Sequence, residues 1–249
     1  MKKTTFSRSR RNFLGAAAVG TAASMLPIRS AFAAPQPDYR LICGEYPVRL
    51  ADEPFPKTKL WCFNGVTPGP EIRVKQGEKV RIAVQNNLQE ITGIHWHGLR
   101  IPNEMDGVPF LTQPAIEVGE EFIYEYAPPD AGTYWYHSHQ NAAIQMGRGL
   151  HGPLIVEERD PIRVDRDITW VLDDWRLDKD AQIENTFSDI TDFSRGGRLG
   201  NTITLNGQLN SRLEVKAGER VRLRIINSSN ARIYSLRFQD HKPQVIAVS

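Results

Sequence analysis

The segment FNGVTPGPEIRVKQGEKVRIAVQN, residues 63–86, returns as LNGQLNSRLEVKAGERVRLRIIN at residues 205–227. At an offset of 141, Val74, Lys75, Gly77, Glu78, Val80, Arg81 and Asn86 fall on Val215, Lys216, Gly218, Glu219, Val221, Arg222 and Asn227. Agreement at that many positions in one register is not chance, so the chain holds two copies of one fold. The copies read as strand: Val80, Ile82 and Val84 alternate with Arg81 and Gln85, the period of two that turns one set of side chains inward. EEFIYEYA and GTYWYH add aromatic and β-branched runs, with Gly, Pro, Asn and Asp in the gaps, and many short strands so punctuated make an all-β sandwich or barrel. Only the polar stretch DKDAQIENTFSDITDFSR reads as holding a short helix, and GGRLGN after it reads as a flexible loop. Ser249 falls on Val108 of the first copy, which leaves the counterparts of FIYEYA, GTYWYHSH and GPLIV out of the second. The expectation is one complete module, an incomplete second copy, and a chain that is a fragment of a longer protein.

Four of the six histidines stand in two pairs, His95 and His97 in GIHWHG and His137 and His139 in YWYHSH. In a strand, residues i and i+2 share a face at roughly 6.6–6.8 Å. Such a pair either chelates one ion or aims each ring at a different member of a cluster, and spacing alone does not choose. Neutral imidazole suits zinc, copper, iron and nickel, and four buried rings without a metal would need other partners for their nitrogens. The repeat sets His95 and His97 on Leu236 and Phe238 of YSLRFQ. The reading is that imidazoles here fill inward slots that the other copy fills with apolar side chains.

His151 and His241 read as packing or surface residues. Cys43 and Cys62 flank PVRLADEPFPKT and would face each other if 39–50 and 58–64 form a hairpin centred near residue 52, with two buried thiols favoured over a disulfide. Neither cysteine has a histidine beside it.

Residues 1–33 read as a leader. Lys2, Lys3 and Arg8 precede the twin arginines Arg10 and Arg11, a weakly apolar stretch follows, and Ala31-Phe32-Ala33 forms an A-x-A cleavage signal. This is the pattern of twin-arginine export to the periplasm, with the export machinery as a partner, and too short for a membrane span. Six of the 31 bases and no acid lie there, so the remainder carries 25 bases against 29 acids and is net −4 rather than +2. No basic face survives to suggest a nucleic-acid partner.

GIHWHGLRIPNEMDGVPFLTQPAI, PPDAGTYWYHSHQ and GLHGPLIVEE together resemble the first domain of the multicopper oxidases, the family of laccases and bacterial periplasmic copper oxidases. The likeness runs from about Leu60 to the end of the chain. It implies a cupredoxin-like Greek-key β-sandwich, with a leader at 1–33, a first domain at 34–158, a linker at 159–167 and a truncated second domain at 168–249.

It also implies a trinuclear copper cluster in which His95 binds the type 2 copper, His97 and His137 bind one type 3 copper, and His139 binds the other. Trp96 would then point into packing and Ser138 away from the metal. Asp106, in NEMDGVP, matches an acid that delivers protons to bound oxygen, though a turn-forming role before Gly107 is as good a reading. The family oxidises small phenolic, aromatic-amine or metal-ion substrates one electron at a time and reduces O2 to water.

The motifs H-x-x-H-x-H and H-C-H do not occur here, so the type 1 copper site and half of the cluster ligands are expected in a C-terminal part, and this chain alone is expected to be inactive. Met105 and Met146 are the only methionines after the leader, so no methionine-rich insert speaks for a copper-tolerance role. Two rivals are a module holding a single copper or zinc ion and a copper-free structural relative in the cell envelope.

Overall fold

In the computed structural model residues 36–248 are described, and the leader reading lies outside them. The first module is two four-stranded sheets. One has the order β2-β1-β4-β6, built from β1 (Tyr39–Val48), β2 (Thr58–Phe63), β4 (Val80–Asn86) and β6 (Glu121–Tyr126). The other has the order β3-β8-β7-β5, from β3 (Ile72–Lys75), β5 (Ile94–His97), β7 (Gly132–Ser138) and β8 (His151–Glu157). β1 runs parallel to β4 and β3 to β8, so the chain crosses repeatedly between layers, in the Greek-key manner that the resemblance implies.

The core between the sheets takes Val80, Ile82 and Val84 from β4 and a knot of rings from β5, β6 and β7. Trp96 lies 5.1 Å from Tyr124, 5.3 Å from Tyr126 and 5.9 Å from Tyr136 between ring centroids. Offset and edge contacts of this kind add to what burial alone contributes.

The second module consists of β9 (Arg166–Trp175), β10 (Thr202–Leu205) and β11 (Val221–Asn227) in the order β10-β9-β11. It repeats β2-β1-β4, with one antiparallel and one parallel pairing. The copies agree in detail at the Asn-Gly turn. Asn64 and Asn206 both have positive φ, 54° and 51°, followed by Gly65 and Gly207. Each asparagine side chain accepts from a backbone N–H of the neighbouring strand, Ile42 at 2.6 Å and Val171 at 2.7 Å, and donates to a carbonyl two residues earlier. Asparagine tolerates that left-handed backbone, and its amide can mimic the missing ladder bonds.

The two α-helices among the described residues are short. α2 (Ile190–Arg195) falls inside the stretch where a helix was expected, capped by the Asp189 carboxylate on Thr191 N–H, and 196–201 follows without regular structure. α1 (Ala142–Gly147) was not expected; AAIQM is a run of good helix formers closed by Gly147 and Gly149.

Two other expectations change. Cys43 pairs with Phe63 and Gly44 with Cys62, one residue out of register, so the two thiols point to opposite faces of the sheet. Both are buried and free, and burial pushes the Cys62 thiol up to about 12. The segment YSLRFQ forms no strand, and Leu236 is exposed; among the described residues the second module has no strand in the place of β7 for it to pair with.

The modules meet on the outer face of β1 and β2, where Leu50, Leu60 and Cys62 pack against Trp175, Leu177 and Ala181. Nearby, the His151 ring nitrogen Nε2 bonds the Asp173 carboxylate at 2.8 Å, both side chains buried. Arg224, 3 % exposed, donates to both oxygens of Asp167 at 2.8 Å and to Thr133 Oγ1 of β7 at 3.0 Å. Among the described residues no helix is long and apolar enough to cross a membrane. Trp175→Ala should lower the unfolding free energy by about 3–5 kcal/mol, the range for emptying a buried aromatic site, measured by urea titration of the chain.

Candidate metal centre

β5 and β7 pair antiparallel with Ile94 opposite Ser138, His95 opposite His137, Trp96 opposite Tyr136 and His97 opposite Trp135. Alternation turns Ile94, Trp96 and Tyr136 into the sandwich core, each fully buried. His95, His97 and His137 therefore project from the other face of the sheet. This corrects the inward-slot reading: the core positions of this strand are Ile94 and Trp96, and the repeat places Ser235 and Arg237 there, not apolar residues.

His139 lies one residue beyond β7, held by its N–H to the Gly93 carbonyl at 2.8 Å. The structure brings all four imidazoles together, with ring centroids 5.4 Å apart for His95 and His137, 5.5 Å for His95 and His139, 5.5 Å for His97 and His137, and 6.3 Å for His137 and His139. His137 is buried, His95 half-buried, and His97 and His139 are exposed, so the group opens to one side.

Because β5 is an edge strand, its free side needs cover. Ile94 N–H donates to the Tyr124 hydroxyl at 3.0 Å, and the chain at Gly107 passes so close that a Cβ there would run into the Ile94 carbonyl. That crossing, in a positive-φ conformation open to glycine, sets Asp106 beside His95.

The ring nitrogens sort by their partners. His137 Nδ1 faces the Ser138 carbonyl at 2.8 Å and His95 Nδ1 the Asp106 carbonyl at 2.8 Å, so each donates from Nδ1 and keeps a lone pair on Nε2. The Asp106 carboxylate is a further 3.4 Å contact of His95 Nδ1. His97 turns Nδ1 toward His137 Nε2 at 3.3 Å, the geometry for an Nδ1–H of His97 to donate to that lone pair. Burial, then the neighbouring imidazoles, hold His97 below the usual range, and burial pushes His137 down to about 3. Ligand atoms of His95, His97 and His137 all lie within 4.8 Å of one another.

Three features escaped the sequence reading. Trp135 packs against both His97 and His137 in tilted ring contacts at 5.0 and 4.4 Å; its place two residues before His137 was the available signal. Asp106 engages His95 first through its backbone carbonyl, a contact no side-chain pattern announces. Ser138 turns from the rings, as expected, into a buried network with Thr92 and Gln145. His151 packs, as expected, but on a partner from the second module. His241 is exposed, just past a turn.

Residues 48–161 and 166–249 each match a domain family described as multicopper oxidase. The copper resistance protein A of Escherichia coli is 30% identical over 96% of this chain and 48% of its own length. Among solved structures, a multicopper oxidase from Pseudomonas thermotolerans aligns with a TM-score of 0.74 at 40% identity, covering 78% of this chain and 46% of that one. A laccase-like multicopper oxidase from Ochrobactrum sp., described as active on lignin model compounds, aligns at 0.69 and 30% identity over 80% and 47%. The chain spans about half the length of these relatives.

A neutral His137 carries a cost at low pH. Its folded pKa lies below the unfolded value, so between about 6.5 and about 3 the unfolded chain binds a proton that the folded chain refuses. The metal-free protein should lose stability progressively as pH falls through that window. Urea midpoints measured from pH 7 to 4 should show a shallower loss in His137→Asn.

Proposed function

Because the chain belongs to the multicopper oxidase family, a family of copper oxidoreductases, we propose that His95, His97, His137 and His139 are half of a trinuclear copper site in a longer enzyme. In this reading His95 holds the type 2 copper, His97 and His137 one type 3 copper, and His139 the other. One observation carries it: four imidazoles on paired strands converge, with Nε2 of His95 and His137 freed by carbonyls on Nδ1 and with His97 Nδ1 facing His137 Nε2. The donor set fits copper, since imidazole is a ligand of that ion and a metal held there would take the place of the proton between His97 Nδ1 and His137 Nε2.

Copper held by His95, His97, His137 and His139 would supply one-electron redox chemistry between phenolic, aromatic-amine or metal-ion substrates and O2. The chain's own residues do the rest. The carbonyls of Asp106 and Ser138 fix the tautomers, Trp135 limits rotation of the two rings it packs against, and the Asp106 carboxylate, 3.4 Å from His95 Nδ1, stands where it can pass protons to the site. The type 1 copper and the remaining ligands belong to the part of the protein beyond this chain, and the chain by itself does not turn over. The division into leader 1–33, domains 34–158 and 168–249 and linker 159–167, and twin-arginine export to the periplasm, are parts of the same proposal.

A second reading has one observation in its favour. The three nitrogens of His95, His97 and His137 are close enough to hold a single copper or zinc ion. Metal analysis of the complete protein decides: two or more coppers besides a blue type 1 absorption support the oxidase, one ion per chain supports the module, and no copper supports a structural relative. Asp106→Asn should keep the copper content and slow O2 consumption by about 100-fold or more, the usual scale for a lost proton-transfer group, read with an oxygen electrode; unchanged turnover would assign Asp106 to the turn alone.

A further inference from the structure

The one buried residue of α1 is Gln145, with no exposed surface. Its Oε1 accepts from the Thr92 hydroxyl at 2.8 Å and from the Ser138 hydroxyl. Its Nε2 donates to the Glu90 carboxylate at 2.6 Å and to the Ile91 carbonyl at 3.0 Å. Both acceptor sites and both donors of the amide are thus used, and the orientation is settled chemically, because a flipped amide would set its oxygen against two acceptors.

The partners lie on the two elements that carry the histidines. Glu90, Ile91 and Thr92 lead into β5, and Ser138 separates His137 from His139. The Ser138 carbonyl is the group that receives His137 Nδ1–H, and Gly93, next to Thr92, receives the backbone N–H of His139. A shift of Ser138 would release the His137 tautomer, and a shift of Thr92 would move the anchor of His139.

We propose that Gln145 is a positioning residue for the histidine quartet: through Ser138 and Thr92 it keeps His137 in the Nδ1–H tautomer, with a lone pair on Nε2, and sets β7 against β5. This rests on the copper-site reading only for its purpose. The hydrogen bonding it describes is a property of the metal-free chain.

The test uses the chain free of metal and then with Cu(II). Long-range 1H–15N spectra of the wild type should show His137 in a single Nδ1–H tautomer, and Gln145→Met, similar in size and unable to make the four bonds, should show a mixture. Cu(II) affinity should fall about 10- to 100-fold, the scale for removing a group that orients a ligand, with a changed copper EPR spectrum. Leu60→Ala, in the core between the modules, serves as the comparison: it should lower the melting temperature without moving the tautomer or the EPR signature. Should Gln145→Met not fold, Ser138→Ala deletes only the hydroxyl and should give the same tautomer signature.

A mixed tautomer in the wild type, or a His137 tautomer unmoved in the variants, overturns the proposal. If the wild type binds no Cu(II) while the tautomer responds, the copper-site reading falls and the positioning role stands.

Discussion

The period-two alternation of two short strands governs what this molecule can do. On β5 and β7 it turns Trp96 and Tyr136 into a core of rings and His95, His97 and His137 out of it, so one set of residues supplies cohesion and the next gathers the imidazoles. A slip of one residue in either strand would bury imidazoles and expose tryptophan. The register is held at several points: by Tyr124 on Ile94 N–H, by the close passage of Gly107, and by the His139–Gly93 bond. The rigidity of the site is therefore borrowed from the aromatic core behind it.

The second module enters this arrangement from the back. Its Trp175, Leu177 and Ala181 cover the outer face of the sheet that does not carry the histidines, while Arg224 reaches the strand that does, at Thr133. A fully buried guanidinium is tolerable because Asp167 meets it bidentately and Thr133 takes a further donor. Apolar area attaches the modules, and the charged contacts define how they sit.

Much of this was readable beforehand. The repeat announced two related modules, and the equivalence of β2-β1-β4 with β10-β9-β11 extends it to topology; the paired histidines announced their own convergence. What could not be read depended on direction or on the main chain. Alternation says that His95 and Trp96 face opposite ways, but which way is inward depends on Tyr124 and Tyr126 across the sandwich. The Asp106 carbonyl, the tie from Gln145 to Ser138, and the His151–Asp173 pair join residues 11, 7 and 22 apart through bends that no local pattern encodes. The cysteines miss each other by a single residue of register, finer than a hairpin drawn from a proline-rich turn can be placed.

The rings of His97 and His139 stand in water while His137 does not. A cup with one dry wall and two wet ones has no enclosed shape of its own with which to refuse an ion, and imidazole is a ligand for zinc and nickel as well as copper. On the copper-site proposal, selection among such ions would then rest on whatever covers the two exposed rings rather than on the quartet itself.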